Sequence, residues 1–214
     1  MDNKEVLSTL SDIRNMMEKS SRILSLSGMS AVVVGVFAGL AAVVAHVILG
    51  GGSLAAWLPR FDYCPVCKVQ MLVLLAGFLI LVCMATAYLF ARRKAKRKNQ
   101  RFAFDLTARR LLWNFFMPLA AGGVLCVSFL WQQQYDLLSA IMLIFYGLAL
   151  INLSNYTYSN TRYLGYAQLL LGLADSFVPG HSLLFWTAGF GLFHIVYGIY
   201  FYLKFDRQNT MNER

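Results

Sequence analysis

At 214 residues the chain is long enough for one or two domains, but 58% of it is apolar and only 14% is charged. Soluble domains carry roughly 25% charged residues to clothe their surface, so a water-soluble fold is excluded. The mean hydropathy is +0.57 and the charges crowd into short stretches between long apolar runs, which makes lipid the expected solvent.

Residues 1–25 read as a cytoplasmic amphipathic helix. Val6, Leu10, Ile13, Met17 and Leu24 recur at helical spacing, with Leu7, Met16 and Ile23 on adjoining positions and charges between them. Asp2 and Glu5 have the spacing of a capping box, and Ser20, Ser21, Ser25 and Ser27 mark the turn into the membrane. The apolar stripe of residues 3–24 can lie among lipid headgroups, dock on the bundle, or meet a second copy or a cytoplasmic protein partner.

Crossing a hydrocarbon core of ~30 Å takes about 20 apolar residues at ~1.5 Å each. Six spans are predicted in a membrane domain covering 26–203, at 26–48, 69–91, 111–131, 137–153, 163–178 and 182–203, followed by a cytoplasmic tail at 204–214. The fourth and fifth are the shortest. The first run exceeds the 7–15 residues of a signal-peptide core, so it is expected to stay as a helix. The predicted fold is therefore all-α, a polytopic bundle of about six transmembrane helices.

Lysine and arginine orient it, because short cytoplasmic loops keep an excess of them. Seventeen of the nineteen fall on one side if both termini are cytoplasmic, leaving Arg60 and Lys68 outside. Trp57, Trp113, Trp131 and Trp186 lie near predicted helix ends, where amphipathic rings prefer to sit. The net charge of +9 resides largely in the second loop, so it implies no nucleic-acid partner. That loop includes Arg92, Arg93, Lys94, Lys96, Arg97 and Lys98, which can bind anionic headgroups at ~1 kcal/mol each or simply enforce topology.

The first outer loop, 50–68, contains Cys64-Pro65-Val66-Cys67. A C-x-x-C pair in an oxidising compartment can form a disulfide, and free thiols, thiol redox chemistry and metal binding are the other readings. The pair supplies only two of the four ligands of a structural zinc, so no metal site is assigned. Its position resembles that of membrane thiol oxidoreductases of the disulfide-bond-formation type. The chain departs from that pattern in having six helices and no second outer cysteine pair. Cys83 and Cys126 read as small apolar residues within spans two and three. Gly35 and Gly39 form a small-xxx-small pair that lets helices approach closely.

Polar groups in the membrane are costly, which makes them functional candidates. His194 lies mid-span in the sixth helix and is expected to bond to a Tyr, to Gln168 or to a carbonyl. Asp175 and His181 flank the tight turn between spans five and six, where they can pair across it or sit hydrated at the interface. The stretches Ile144-Phe145-Tyr146-Gly147-Leu148 and Ile195-Val196-Tyr197-Gly198-Ile199 share a pattern at similar depth, as a parallel internal repeat would. No P-loop, zinc-protease helix, nucleophile elbow or dinucleotide fingerprint occurs, so no catalytic residue and no cofactor is assigned.

Tyr163-Leu164-Gly165-Tyr166, the segment from Val178-Pro179-Gly180-His181 to Phe185-Trp186, and Gly189-Phe190-Gly191-Leu192-Phe193-His194 resemble a bacterial family of uncharacterised six-helix membrane proteins. Ile13-Arg14-Asn15-Met16-Met17-Glu18-Lys19-Ser20-Ser21-Arg22 is similar to that family's N-terminus. The resemblance implies the bacterial inner membrane and brings no activity. The leading expectation is a non-enzymatic protein acting through partner, self-association or lipid contacts. A small transporter or channel using helices five and six, and a thiol-redox protein using Cys64 and Cys67, are the alternatives.

Overall fold

The computed structural model describes residues 28–49, 65–97, 106–156 and 161–206. The amphipathic helix expected at 1–25, Cys64, Lys98 and most of the tail lie outside these residues. Among the described residues the protein is all-helical: α1 is Gly28–Ile48, α2 Pro65–Arg97, α3 Leu106–Trp131, α4 Leu138–Leu153 and α5 Thr161–Ser176. The sixth helix, α6, covers 182–206. It starts as the α-helix Ser182–Trp186, widens to a π-helix over Thr187–Phe193, returns to α over His194–Phe201 and ends in a second π stretch, Tyr202–Asp206.

Four of the six, α1, α2, α3 and α6, are long and apolar enough to cross a membrane. The other two, α4 and α5, have 16 residues each, and only α4 is apolar along its length. The boundaries differ from the sequence expectation chiefly around the basic stretch. Rather than stopping near residue 91, α2 continues to Arg97, because Ala, Arg and Lys are strong helix formers and carry the helix past its apolar part. On the other side of this connection α3 begins at Leu106 rather than 111.

Two close interfaces organise the bundle. Antiparallel α4 and α5 meet through Gly147 and Gly165, where a Cβ added to Gly147 would stand 2.8 Å from the Gly165 carbonyl oxygen and 2.8 Å from the Leu169 nitrogen. The first and last helices, α1 and α6, meet in the same way: a Cβ on Gly198 would lie 2.7 Å from the Gly28 carbonyl. Small residues let backbones approach, and the resulting van der Waals contact is what holds helices together in lipid. The small-residue face of α1 is thus used within the chain, with Gly35 against Gly191 and Ile195, while Gly39 keeps open space beside it.

Around these pairs α6 bridges α1 to α4 and α5, and α3 packs on the outside of α4. Leu111 of α3, Leu150 and Leu153 of α4 and Leu164 of α5 form a buried apolar cluster flanked by Phe193 and Tyr197 of α6. By contrast, among the described residues α2 packs chiefly on α1, and its apolar stretch buries none of its residues.

Two tight turns close one end, here the turn end. After α3, Gln133 takes φ 60°, and the Gln134 and Gln133 N–H groups donate to the Phe129 and Leu130 carbonyls. This is a Schellman stop built on glutamine where glycine is usual. The α5–α6 turn uses Gly180 at φ 87°.

Candidate functional site

Three polar side chains of α5, Thr161, Gln168 and Asp175, recur every seventh residue and therefore lie along one side of the helix. Their relative exposures are 4%, 0% and 2%. Consecutive members are ~10 Å apart along the axis at 1.5 Å per residue, so the column spans most of the helix. Each is bonded across to α4 or α6.

The middle rung is the richest. Gln168 Nε2 donates to the Gly189 carbonyl at 2.8 Å, and His194 Nδ1 lies 3.1 Å from the same oxygen. A carbonyl only accepts, so Nδ1 carries the hydrogen, and in the neutral ring Nε2 is the acceptor for the Tyr146 hydroxyl 2.8 Å away. That fixes the neutral tautomer of His194 and also the Gln168 amide, since flipping it would set its oxygen against the Gly189 carbonyl. Gln168 Nε2 and His194 Nδ1 stand 3.4 Å apart as two donors sharing one acceptor. The Gln168 carbonyl oxygen is buried with no partner. Gly189 is what permits the arrangement: a Cβ there would lie 2.6 Å from that oxygen and also strike Leu143. The π-helix turns Gly189 and His194 toward the same space, and such widened turns recur at functional sites.

Aromatic rings line this rung. Phe190 stacks on His194 with centroids 6.2 Å apart and meets Trp186 at a tilt at 5.1 Å, and Tyr146 stacks on His194 at 5.4 Å. The rung farthest from the turn end pairs Thr161 Oγ1 with the Tyr197 hydroxyl at 3.1 Å. Tyr146-Gly147 and Tyr197-Gly198 thus do matched jobs: each tyrosine closes a polar rung and each glycine a close backbone contact, which gives the shared five-residue pattern a common physical reason.

At the turn end Asp175 Oδ2 stands 2.5 Å from Ser139 Oγ of α4, which is also 2.9 Å from the Ser182 carbonyl. Asp175 Oδ1 has no partner. Neither of the roles expected for this residue holds, because it does not pair with His181 and is not hydrated at an interface. Ser139 is small enough to let α4 close over the carboxyl, while the turn leaves His181 exposed.

Of the other candidates, Cys67 is half-buried at the start of α2, Cys83 is half-buried farther along it, and Cys126 is buried on α3. Arg92 and Arg93 are exposed on the last turns of α2, and Lys94, Lys96 and Arg97 continue that helix. The structure brings Gln168 and His194 together and leaves Asp175, His181 and the basic stretch apart from them. Ser139, Tyr146, Thr161 and Tyr197 complete the column and were missed by sequence reasoning. The seven-residue spacing of Thr161, Gln168 and Asp175 is a signal that could have found the first of them. Compared with known proteins, the chain matches no family model, no curated protein and no solved structure.

Proposed function

We propose that the chain is a six-span protein of the bacterial inner membrane, with both termini cytoplasmic, that passes a proton or small cation along the polar column of α5. The observation that carries this is the column itself: three buried polar side chains at seven-residue spacing, each bonded to a neighbouring helix. Desolvating polar groups in a membrane is costly, and they are kept where they serve a pathway or a site. In this reading α4 and α5 cross with their polar flanks, the arginine- and lysine-rich connection faces the cytoplasm and the turn end faces out. His194 and Gln168 are the central relay, because they are the only pair in the column where an imidazole and an amide share one carbonyl.

The test is flux in proteoliposomes under an imposed pH or cation gradient. His194→Ala and Gln168→Ala are expected to abolish a flux the parent protein carries, with unchanged yield and secondary structure. A panel of gradients that the parent protein does not dissipate would sink the reading.

A second reading, action through partner, self-association or lipid contacts, is favoured by the bare flank of α2, where Leu74 is 72% and Leu81 70% exposed. Light scattering in nanodiscs separates its branches: a monomer leaves lipid as the cover of α2, and a larger species points to a second copy.

A further inference from the structure

We propose that Asp175 is a proton-binding site, its carboxyl carrying a proton that it donates to Ser139. This rests on the transport reading only in naming the species that moves; occupancy of the site stands on its own geometry.

The argument is a count of hydrogens. Ser139 Oγ is within hydrogen-bond distance of two oxygens, Asp175 Oδ2 at 2.5 Å and the Ser182 carbonyl at 2.9 Å. A hydroxyl has one hydrogen to give. If Asp175 were ionised, one of these two contacts would set lone pairs against each other with nothing between them. A second hydrogen on Oδ2 satisfies both: Oδ2–H donates to Ser139 Oγ, and Ser139 O–H donates to the Ser182 carbonyl. The carboxyl is 2% exposed, and among the described residues no lysine, arginine or histidine bonds to it. Its second oxygen is without a partner, a cost far smaller for a neutral C=O than for half of a carboxylate charge. The titratable groups at this end, Tyr135 and Asp136 on one turn and His181 on the other, are all exposed and none bonds to Asp175. Among the described residues its side-chain hydrogen-bond partner is the neutral Ser139 of α4, which in turn reaches the Ser182 carbonyl of α6.

The place suits exchange. Asp175 is shielded from solvent yet lies one residue from the end of α5, so only a thin layer of protein separates it from the turn-end surface. Release breaks the Oδ2–H bond and passes the proton to water there. The Ser139 hydrogen then swings from the Ser182 carbonyl to the carboxylate, and α4 loses its bond to the start of α6. Ser182 keeps its other tie, from its hydroxyl to the Asp136 carbonyl at 2.8 Å. Proton loss therefore removes one of these two hydrogen bonds of Ser182.

The experiment is infrared difference spectroscopy of the full chain in lipid at neutral pH, parent minus Asp175→Asn, in H2O and D2O. A protonated-carboxyl band that shifts in D2O, vanishes in the variant and moves in Ser139→Ala is expected. A spectrum with no such band overturns the proposal. Should Asp175→Asn not fold, the parent protein is treated with dicyclohexylcarbodiimide, which modifies protonated carboxyls in apolar surroundings, and adducts are mapped by mass spectrometry. An adduct on Asp175 at neutral pH that is lost as pH rises supports the site, and an unmodified Asp175 overturns it. A band without flux keeps the site and drops the transport reading; flux without a band does the reverse.

Discussion

Helices α2 and α5 take opposite places in the bundle. The longer, α2, has 33 residues and an apolar stretch among the most hydrophobic in the chain, yet buries nothing of it inside the protein. At 16 residues and with polar groups on one face, α5 sits between α4 and α6 with Thr161, Leu164, Gly165, Gln168, Gly172 and Asp175 all buried. In water the order would be reversed, since burial would follow hydrophobicity. In a bilayer lipid tails solvate leucine as well as a protein core does, so apolar surface gains little by turning inward. What the interior offers that lipid does not is hydrogen-bond partners and close backbone contact. Polar residues and glycines of α5 therefore take the inside, while the leucines of α2 stay on the outer surface.

This contrast can be broken first at two glycines. Gly147→Leu drives a side chain into the backbone of α5 and is expected to cost more than the ~1–3 kcal/mol of ordinary overpacking, seen as loss of monodisperse protein in detergent. Gly77→Leu on α2 places its Cβ where nothing lies within 4 Å and should change stability little, within ~0.5 kcal/mol in thermal unfolding. Equal losses at the two sites would mean that α2 is packed against something in the membrane.

A smaller effect is expected at Gly189→Ala, where the new methyl meets Leu143 and the Gln168 oxygen and should destabilise by ~1–3 kcal/mol in thermal unfolding. A neutral result would show that the middle rung can shift without loss. Below that comes Gln168→Met, which removes the bond to Gly189 and, at the usual worth of a membrane hydrogen bond, should cost about 1 kcal/mol. The smallest change is expected for Leu81→Ala on the exposed flank of α2, at most ~0.5 kcal/mol by the same assay. A loss well above that would favour the partner-contact reading over a lipid cover.

Much of the scaffold was legible in the residues. The spans predicted at 26–48, 111–131 and 182–203 lie close to the observed α1, α3 and α6, because long apolar runs leave few alternatives to a helix. Asp175 was misread for a specific reason. Beside a Pro-Gly turn, an acid is ordinarily wet, and nothing in the neighbouring sequence announces that Ser139, 36 residues earlier, would close over it. The π-helix at Thr187–Phe193 was equally silent, since it depends on which helix faces Gly189.

Hydrophobic length is a local property that bilayer thickness reads directly, so the residues alone establish a helical chain with apolar runs of spanning length. Which polar groups meet is set by how the helices pack. Hydrogen bonds between Tyr146 and His194 or Ser139 and Asp175 join residues 48 and 36 positions apart. The Gly147–Gly165 approach brings α4 and α5 close enough for Ser139 to reach Asp175, and the Tyr146–His194 bond ties α4 to α6.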